Sequence, residues 1–175
     1  MNFIPDAQLD QWLLEDIRGG DLTTRALGIG FRNGHMRFIH RTGGCVSGAA
    51  CARRLLQRLG LQAEDAVAEG EVVEAGRSLL NAVGPAEALH QGWKAAQNLL
   101  EWSCGIADYA WRMTQQLRRY VPEGQIAGSR KTFPGGRALA QQALVAALFI
   151  AAAWPKPCCC SPTIAVFTLT HRPGR

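Results

Sequence analysis

Ser129-Arg130-Lys131-Thr132 is the segment of this chain richest in chemistry. Arg130 offers a planar fork for carboxylate or phosphate and Lys131 a mobile point charge beside it, while the hydroxyls of Ser129 and Thr132 add donors. Such a set suits an anionic small molecule. Lys94 is a second basic group, set in an otherwise apolar helical stretch with Trp93 and Asn98, where a lysine also reads as one that snorkels to solvent. His90, Gln97 and Asn98 read as hydrogen-bonded helix residues. No catalytic acid, base or nucleophile is assignable from spacing. Cys158, Cys159 and Cys160 are adjacent, and three neighbours do not easily reach one tetrahedral ion. No CxxC and no nearby His pair completes a set, His171 being the one His in the tail, so no metal ligands are assigned. Cys45, Cys51 and Cys104 are scattered and read as buried thiols of a reducing, cytoplasmic protein.

The elements that must carry these groups follow from periodicity. Asp6 to Arg18 has a helical stripe at Leu9, Trp12, Leu13 and Ile17, ended by Gly19-Gly20. Asp21 to Thr24 is a turn or a second short helix start, and Gly28 to Gly34 is a loop. His35 to His40 alternates as a strand, with Met36 and Phe38 on one face. Cys45-Val46 is extended, and Ala49 to Leu59 is an amphipathic helix with its arginines outward. Gly70–Val73 and Arg77–Val83 are short strands. Pro85 to Trp102 is a long helix, Gly105 marks a break, and Ile106 to Tyr120 continues helically. Gln125 to Ser129 is a strand, the basic loop follows, and a helix starts near Arg137. Strand, basic loop, helix is how an α/β barrel begins, and such barrels place their sites at the strands' C-terminal ends.

The composition narrows the function. The 175 residues carry a net charge of +5 and are 47% hydrophobic, enough for a core. All acidic residues lie at or before Glu123, whereas Lys156, Arg172 and Arg175 stand in an acid-free tail. The body is therefore nearly neutral, with no basic stripe interleaved with aromatics, which argues against nucleic acid as a partner. The longest apolar run, Ala143 to Trp154, is too short to span a membrane. The N-terminus has Asp6, Asp10, Glu15 and Asp16 and no leading basic cluster, so it does not read as a signal peptide.

Four segments taken together resemble a known family. They are Glu15-Asp16 with Gly20-Asp21-Leu22-Thr23-Thr24, then Gly92 to Leu100, then Cys104-Gly105-Ile106-Ala107, then Ser129 to Gly135. Their order and spacing resemble the quinolinate phosphoribosyltransferases (nicotinate-nucleotide pyrophosphorylases) over residues 1 to about 147. Within that family, Lys94 and the Gln97-Asn98-Leu99-Leu100-Glu101 run resemble the branch from molybdate-transport gene clusters. The resemblance implies an N-terminal α+β sandwich domain followed by the beginning of an α/β barrel, in an intertwined homodimer. It implies transfer of a phosphoribosyl group from phosphoribosyl pyrophosphate to an anionic, nitrogen-containing acceptor, as in NAD biosynthesis, with pyrophosphate released. It makes Lys94, Ser129, Arg130, Lys131 and Thr132 substrate-binding, with Lys94 reaching the neighbouring subunit's site. Magnesium is the cofactor of the full-length family, and its acidic ligands lie beyond the matching part. Departures from the family are Ser129 for Thr, Asp108 for Thr, and Lys94 for Arg; the last removes a bidentate fork and counts against quinolinate itself.

The resemblance stops after Ala147, and the genetic code suggests why. Three Cys codons, regrouped by one base, read Leu-Leu; Trp154-Pro155 regroups to Ala, and Lys156-Pro157 to Thr or Ala. Permitted choices from Phe149 onward then spell His-Arg-Arg-Arg-Leu-Ala-Glu-Thr-Leu-Leu-Leu-Phe-Ala-Asn-His-Arg, which has the His-Arg pair and Asn-His ending that the family shows next. The expectation is a one-base frameshift near Ala147. It divides the chain into a sandwich domain with its long helix at 1–100, the start of the barrel at 101–147, and a non-family tail at 148–175. The chain is then an enzyme by descent and inactive as it stands. A non-catalytic dimerising or partner-binding fragment is the alternative, and a small Cys-rich metal-binding protein a third reading.

Overall fold

The computed structural model describes residues 4–17, 20–129, 131–149 and 165–167. Helix α1 (Asp6–Ile17) buries Leu9 and Leu13, the inward side of the predicted stripe. Its acidic face meets helix α3 (Ala49–Arg58), where Arg54 pairs with Asp6 and Arg58 with Asp10 and Asp6. These are exposed pairs, screened by solvent and worth little to stability. Between them, the segment read as a turn or short start is helix α2 (Leu22–Leu27). Asp21 caps it: Thr24 donates through its backbone N–H to Asp21 Oδ1 at 3.3 Å and through its hydroxyl to Oδ2 at 2.5 Å.

Strands β1 (Asn33–His40), β3 (Gln62–Glu64) and β5 (Arg77–Pro85) form an antiparallel sheet in the order β1-β5-β3. Met36 stands opposite Ala82 and Phe38 opposite Leu80, with an irregularity between Phe38 and Ile39. Met36 and Phe38, read as sharing one face of β1, both pack against the core. β3 has no counterpart in the sequence reading. Its three residues are Gln-Ala-Glu, with one small side chain facing inward, so neither β-branching nor a usable alternation announces it. A two-stranded ribbon joins β2 (Gly44–Cys45) to β4 (Val72–Val73), shorter than the predicted Gly70–Val73 strand.

Helices α3 and α4 (Ala86–Arg118) cover the sheet, closing a core that includes Leu55, Leu56, Leu80, Ala96 and Leu100. α4 runs 33 residues without a break, which corrects the interruption expected at Gly105. Glycine costs a helix about 1 kcal/mol against alanine. Cys104 and Ala107 beside it are buried, and tertiary packing on both sides outweighs that cost.

β6 (Gln125–Ala127) ends two residues before the predicted Ser129, and α5 (Arg137–Phe149) follows the basic loop as expected. α5 lies on α4 through small residues, Ala107 and Ala110 against Ala143 and Ala147. β7 (Ala165–Phe167) pairs antiparallel with β6, Ile126 opposite Val166. The described residues thus hold an α+β sandwich, one strand–loop–helix unit, and no closed barrel. Cys158, Cys159, Cys160 and His171 lie outside them. No helix among the described residues is long and apolar enough to cross a membrane.

Candidate functional site

Lys94 projects from the exposed side of α4, one turn after His90. Its ammonium lies 5.1 Å from the centroid of the Trp93 ring, a cation–π distance that holds an otherwise free side chain in place. It lines an open cavity of about 680 Å³ with Asp16, Asp21, His35 and His90. His90 Nδ1 stands 3.6 Å from Asp21 Oδ2. Lys94 therefore presents its charge beside two carboxylates and two imidazoles.

The basic loop follows β6. Ser129 and Thr132 are half-buried and Lys131 is exposed, with its backbone N–H donating to Ser129 Oγ at 3.4 Å. The hydroxyl of Ser129 thereby turns the loop so that Lys131 faces solvent. Arg130 lies outside the described residues. Beyond Thr132 the loop folds back over α4. Phe133 to Gly136, with Trp12, Glu15, Asp16, Asn98 and Trp102, line a second cavity of about 540 Å³. A third, about 720 Å³, runs between β1 and α4, from Met36 to Thr42 and across Gln97, Glu101 and Asp108. Lys94 shares none of these cavities with Ser129, Lys131 or Thr132.

Two carboxylates that sequence reading did not single out as anchors fix the scaffold. Glu69 accepts hydrogen bonds from the backbone N–H of Gly48 at 2.9 and 3.0 Å, from that of Ala50 at 3.3 Å, and from Ser47 Oγ at 2.8 Å. It thus caps α3, whose N-cap, Gly48, offers no side chain. Asp108, the departure from the family's Thr, accepts from Cys45 N at 3.2 Å and from Arg112 Nε at 2.7 Å, tying β2 to α4. The Glu69 bonds and the Asp108–Cys45 bond span 19 to 63 residues, and only the folded chain reveals them, whereas Asp108–Arg112 is a local i,i+4 pair on α4. The flanking of Lys94 by His90 four residues earlier is the one local signal the sequence offers.

The cysteines sit as the sequence suggests. Cys45, Cys51 and Cys104 are free and buried. Burial pushes the Cys45 thiol up to about 11, with Asp108 adding to the shift, and the Cys51 thiol also to about 11. Cys104 is raised by burial, against a lowering hydrogen bond to the Ser47 carbonyl. None is activated as a nucleophile. Among the described residues no three His, Cys, Asp or Glu side chains are grouped so as to hold a metal ion.

Comparison with known proteins bears directly on this geometry. Residues 21–104 match the family described as "Quinolinate phosphoribosyl transferase, N-terminal domain". The chain is 55% identical over 147 residues to an Escherichia coli protein carrying the name pyrophosphorylase ModD, covering 84% of this chain and 52% of that one. It is 34% identical over 142 residues to a Synechocystis protein carrying the name nicotinate-nucleotide pyrophosphorylase (carboxylating), covering 80% and 47%. The crystal structure of NadC from Streptococcus pyogenes has the same fold over 85% of this chain and 54% of its own, with a TM-score of 0.77 and 19% identity. The chain spans about half the length of the curated relatives it matches.

Proposed function

We infer, for a chain whose residues 21–104 match the quinolinate phosphoribosyl transferase N-terminal domain family, that its site is that of a phosphoribosyltransferase. The reaction transfers a phosphoribosyl group from phosphoribosyl pyrophosphate to an anionic, nitrogen-containing acceptor and releases pyrophosphate. Such a transfer builds positive charge on the sugar, and its catalysis is positioning plus electrostatic stabilisation. Lys131 and Arg130, with the hydroxyls of Ser129 and Thr132, hold the acceptor's acid group. Lys94 supplies a further cation, from a second copy of the chain in a homodimer.

The observation that carries this reading is the separation of the two basic stations. Lys94 sits over Trp93 in one of the three described cavities, and Ser129, Lys131 and Thr132 line none of the three. In the proposed homodimer, Lys94 of one copy joins the basic loop of the other around one anion. The neighbouring Asp16 and Asp21, and the lysine where the family has arginine, favour an acceptor with fewer acid groups than a pyridine dicarboxylate. Three free, buried thiols fit a cytoplasmic protein.

With one strand–loop–helix unit among its described residues, the chain is proposed to bind the acceptor without turning it over. The test is an NMR titration with nicotinate and with quinolinate, alongside an assay for pyrophosphate release. Saturable binding that Lys131→Ala and Lys94→Ala each weaken by about tenfold or more supports the reading. Pyrophosphate release by this chain sinks the claim of inactivity, and binding indifferent to both substitutions sinks the site.

A further inference from the structure

The cavity between α1, α4 and the Phe133–Gly136 segment differs from the Lys94 cavity in its lining: among the described residues, no basic side chain lines it. Its walls carry three aromatic rings, from Trp12, Trp102 and Phe133, and two carboxylates, Glu15 and Asp16. Trp12 packs partly on the core, which fixes its ring. Trp102 is 39% exposed and Phe133 76%, both far more open than core aromatics. The loop is shaped to close on the indole. A Cβ at Gly136 would stand 2.6 Å from Trp102 Cη2, so only glycine lets the backbone lie so near the ring.

Aromatic faces present negative potential, and a cation over them is attracted most strongly when partly removed from water. Carboxylates at the rim add attraction of the same sign. An anion meets two like charges there, and a neutral apolar molecule strands both. We propose that this cavity binds a compact organic cation with an alkylated or aromatic nitrogen, of the quaternary ammonium or N-alkylpyridinium type. The site does not rest on the phosphoribosyltransferase reading: it uses neither Lys94 nor the Ser129–Thr132 group, and shares with the Lys94 cavity only Asp16.

The test uses the full chain with 15N-labelled tryptophan and follows the indole N–H signals. Choline and N-methylpyridinium are the two cationic probes, which separate the two head-group types. 3,3-Dimethylbutan-1-ol is the neutral isostere of choline. The expected result is saturable shifts of the Trp12 and Trp102 signals by at least one cation, with the Trp111 signal unmoved and the neutral isostere inert. The double substitution Glu15→Gln, Asp16→Asn weakens binding by about tenfold and Trp102→Ala by at least as much. An unshifted Trp111 signal in each variant reports an intact α4. Equal binding of the neutral isostere, or no saturable shift with either cation, overturns the proposal.

Discussion

Lys94 and Trp93 show how little of a residue's role is written in its identity. A lysine in an apolar helix is ordinarily one that snorkels, and here its ammonium sits 5.1 Å from an indole centroid at the mouth of a cavity. The substitution Trp93→Ala leaves the charge and releases the side chain. It weakens acceptor binding several-fold, while Trp93→Phe recovers part of the loss. The buried thiols give a prediction with a definite sign. Cys45 and Cys51 are raised from an ordinary 9.0 to about 11 in the folded chain. The unfolded chain therefore loses these protons first as pH rises. Their contribution to stability is complete below pH 9 and disappears between about 9 and 11. Urea midpoints measured across that range fall, and Cys45→Ala, Cys51→Ala flattens the fall. At neutral pH these thiols react slowly with a disulfide reagent until the chain is unfolded.

At the scale of elements, the helices were the legible part. α1, α3 and α5 lie within a residue or two of where their apolar stripes place them, because a helix advertises its buried face at a fixed period. β3 was illegible, since a three-residue edge strand is created by the neighbour it pairs with. The expected break at Gly105 failed for a related reason: a local breaker was judged without the packing on either side of it. A Cβ at Gly105 would meet nothing within 4 Å. Gly105→Ala therefore stabilises the chain by about 0.5–1 kcal/mol in denaturant unfolding, the reverse of what a true hinge would give. Gly44 is the opposite case, with φ +141 and the Asp108 carboxylate against the place of a Cβ. Gly44→Ala costs about 1–3 kcal/mol. The cap on α3 is tertiary, and Glu69→Ala leaves the first turn's N–H groups without it, costing about 2 kcal/mol. The candidate loop was legible as chemistry, because an Arg-Lys pair between hydroxyls is a local pattern. Its distance from Lys94 was not, because that depends on how α4 and β6 pack.

At the scale of the molecule, the described residues combine an α+β sandwich with one strand–loop–helix unit, and the chain matches about half the length of its curated relatives. The codon regrouping after Ala147 attributes the tail to a one-base frameshift. Sequencing the coding DNA from the Gln141 codon past the stop is expected to find the alternative frame open downstream, and stop codons throughout that frame would refute the attribution. The central claim is that two basic stations on separate chains make one anion site, and mixing two inactive variants tests it most directly. Lys94→Ala and Lys131→Ala chains each bind nicotinate about tenfold or more weakly when alone. Unfolded and refolded together in equal amounts, they form mixed dimers in which one of the two sites is whole. Binding at full strength then returns at roughly one site in four. No recovery in a mixture shown to be dimeric would contradict the shared site, as would a monomeric chain that binds the anion as tightly as the dimer.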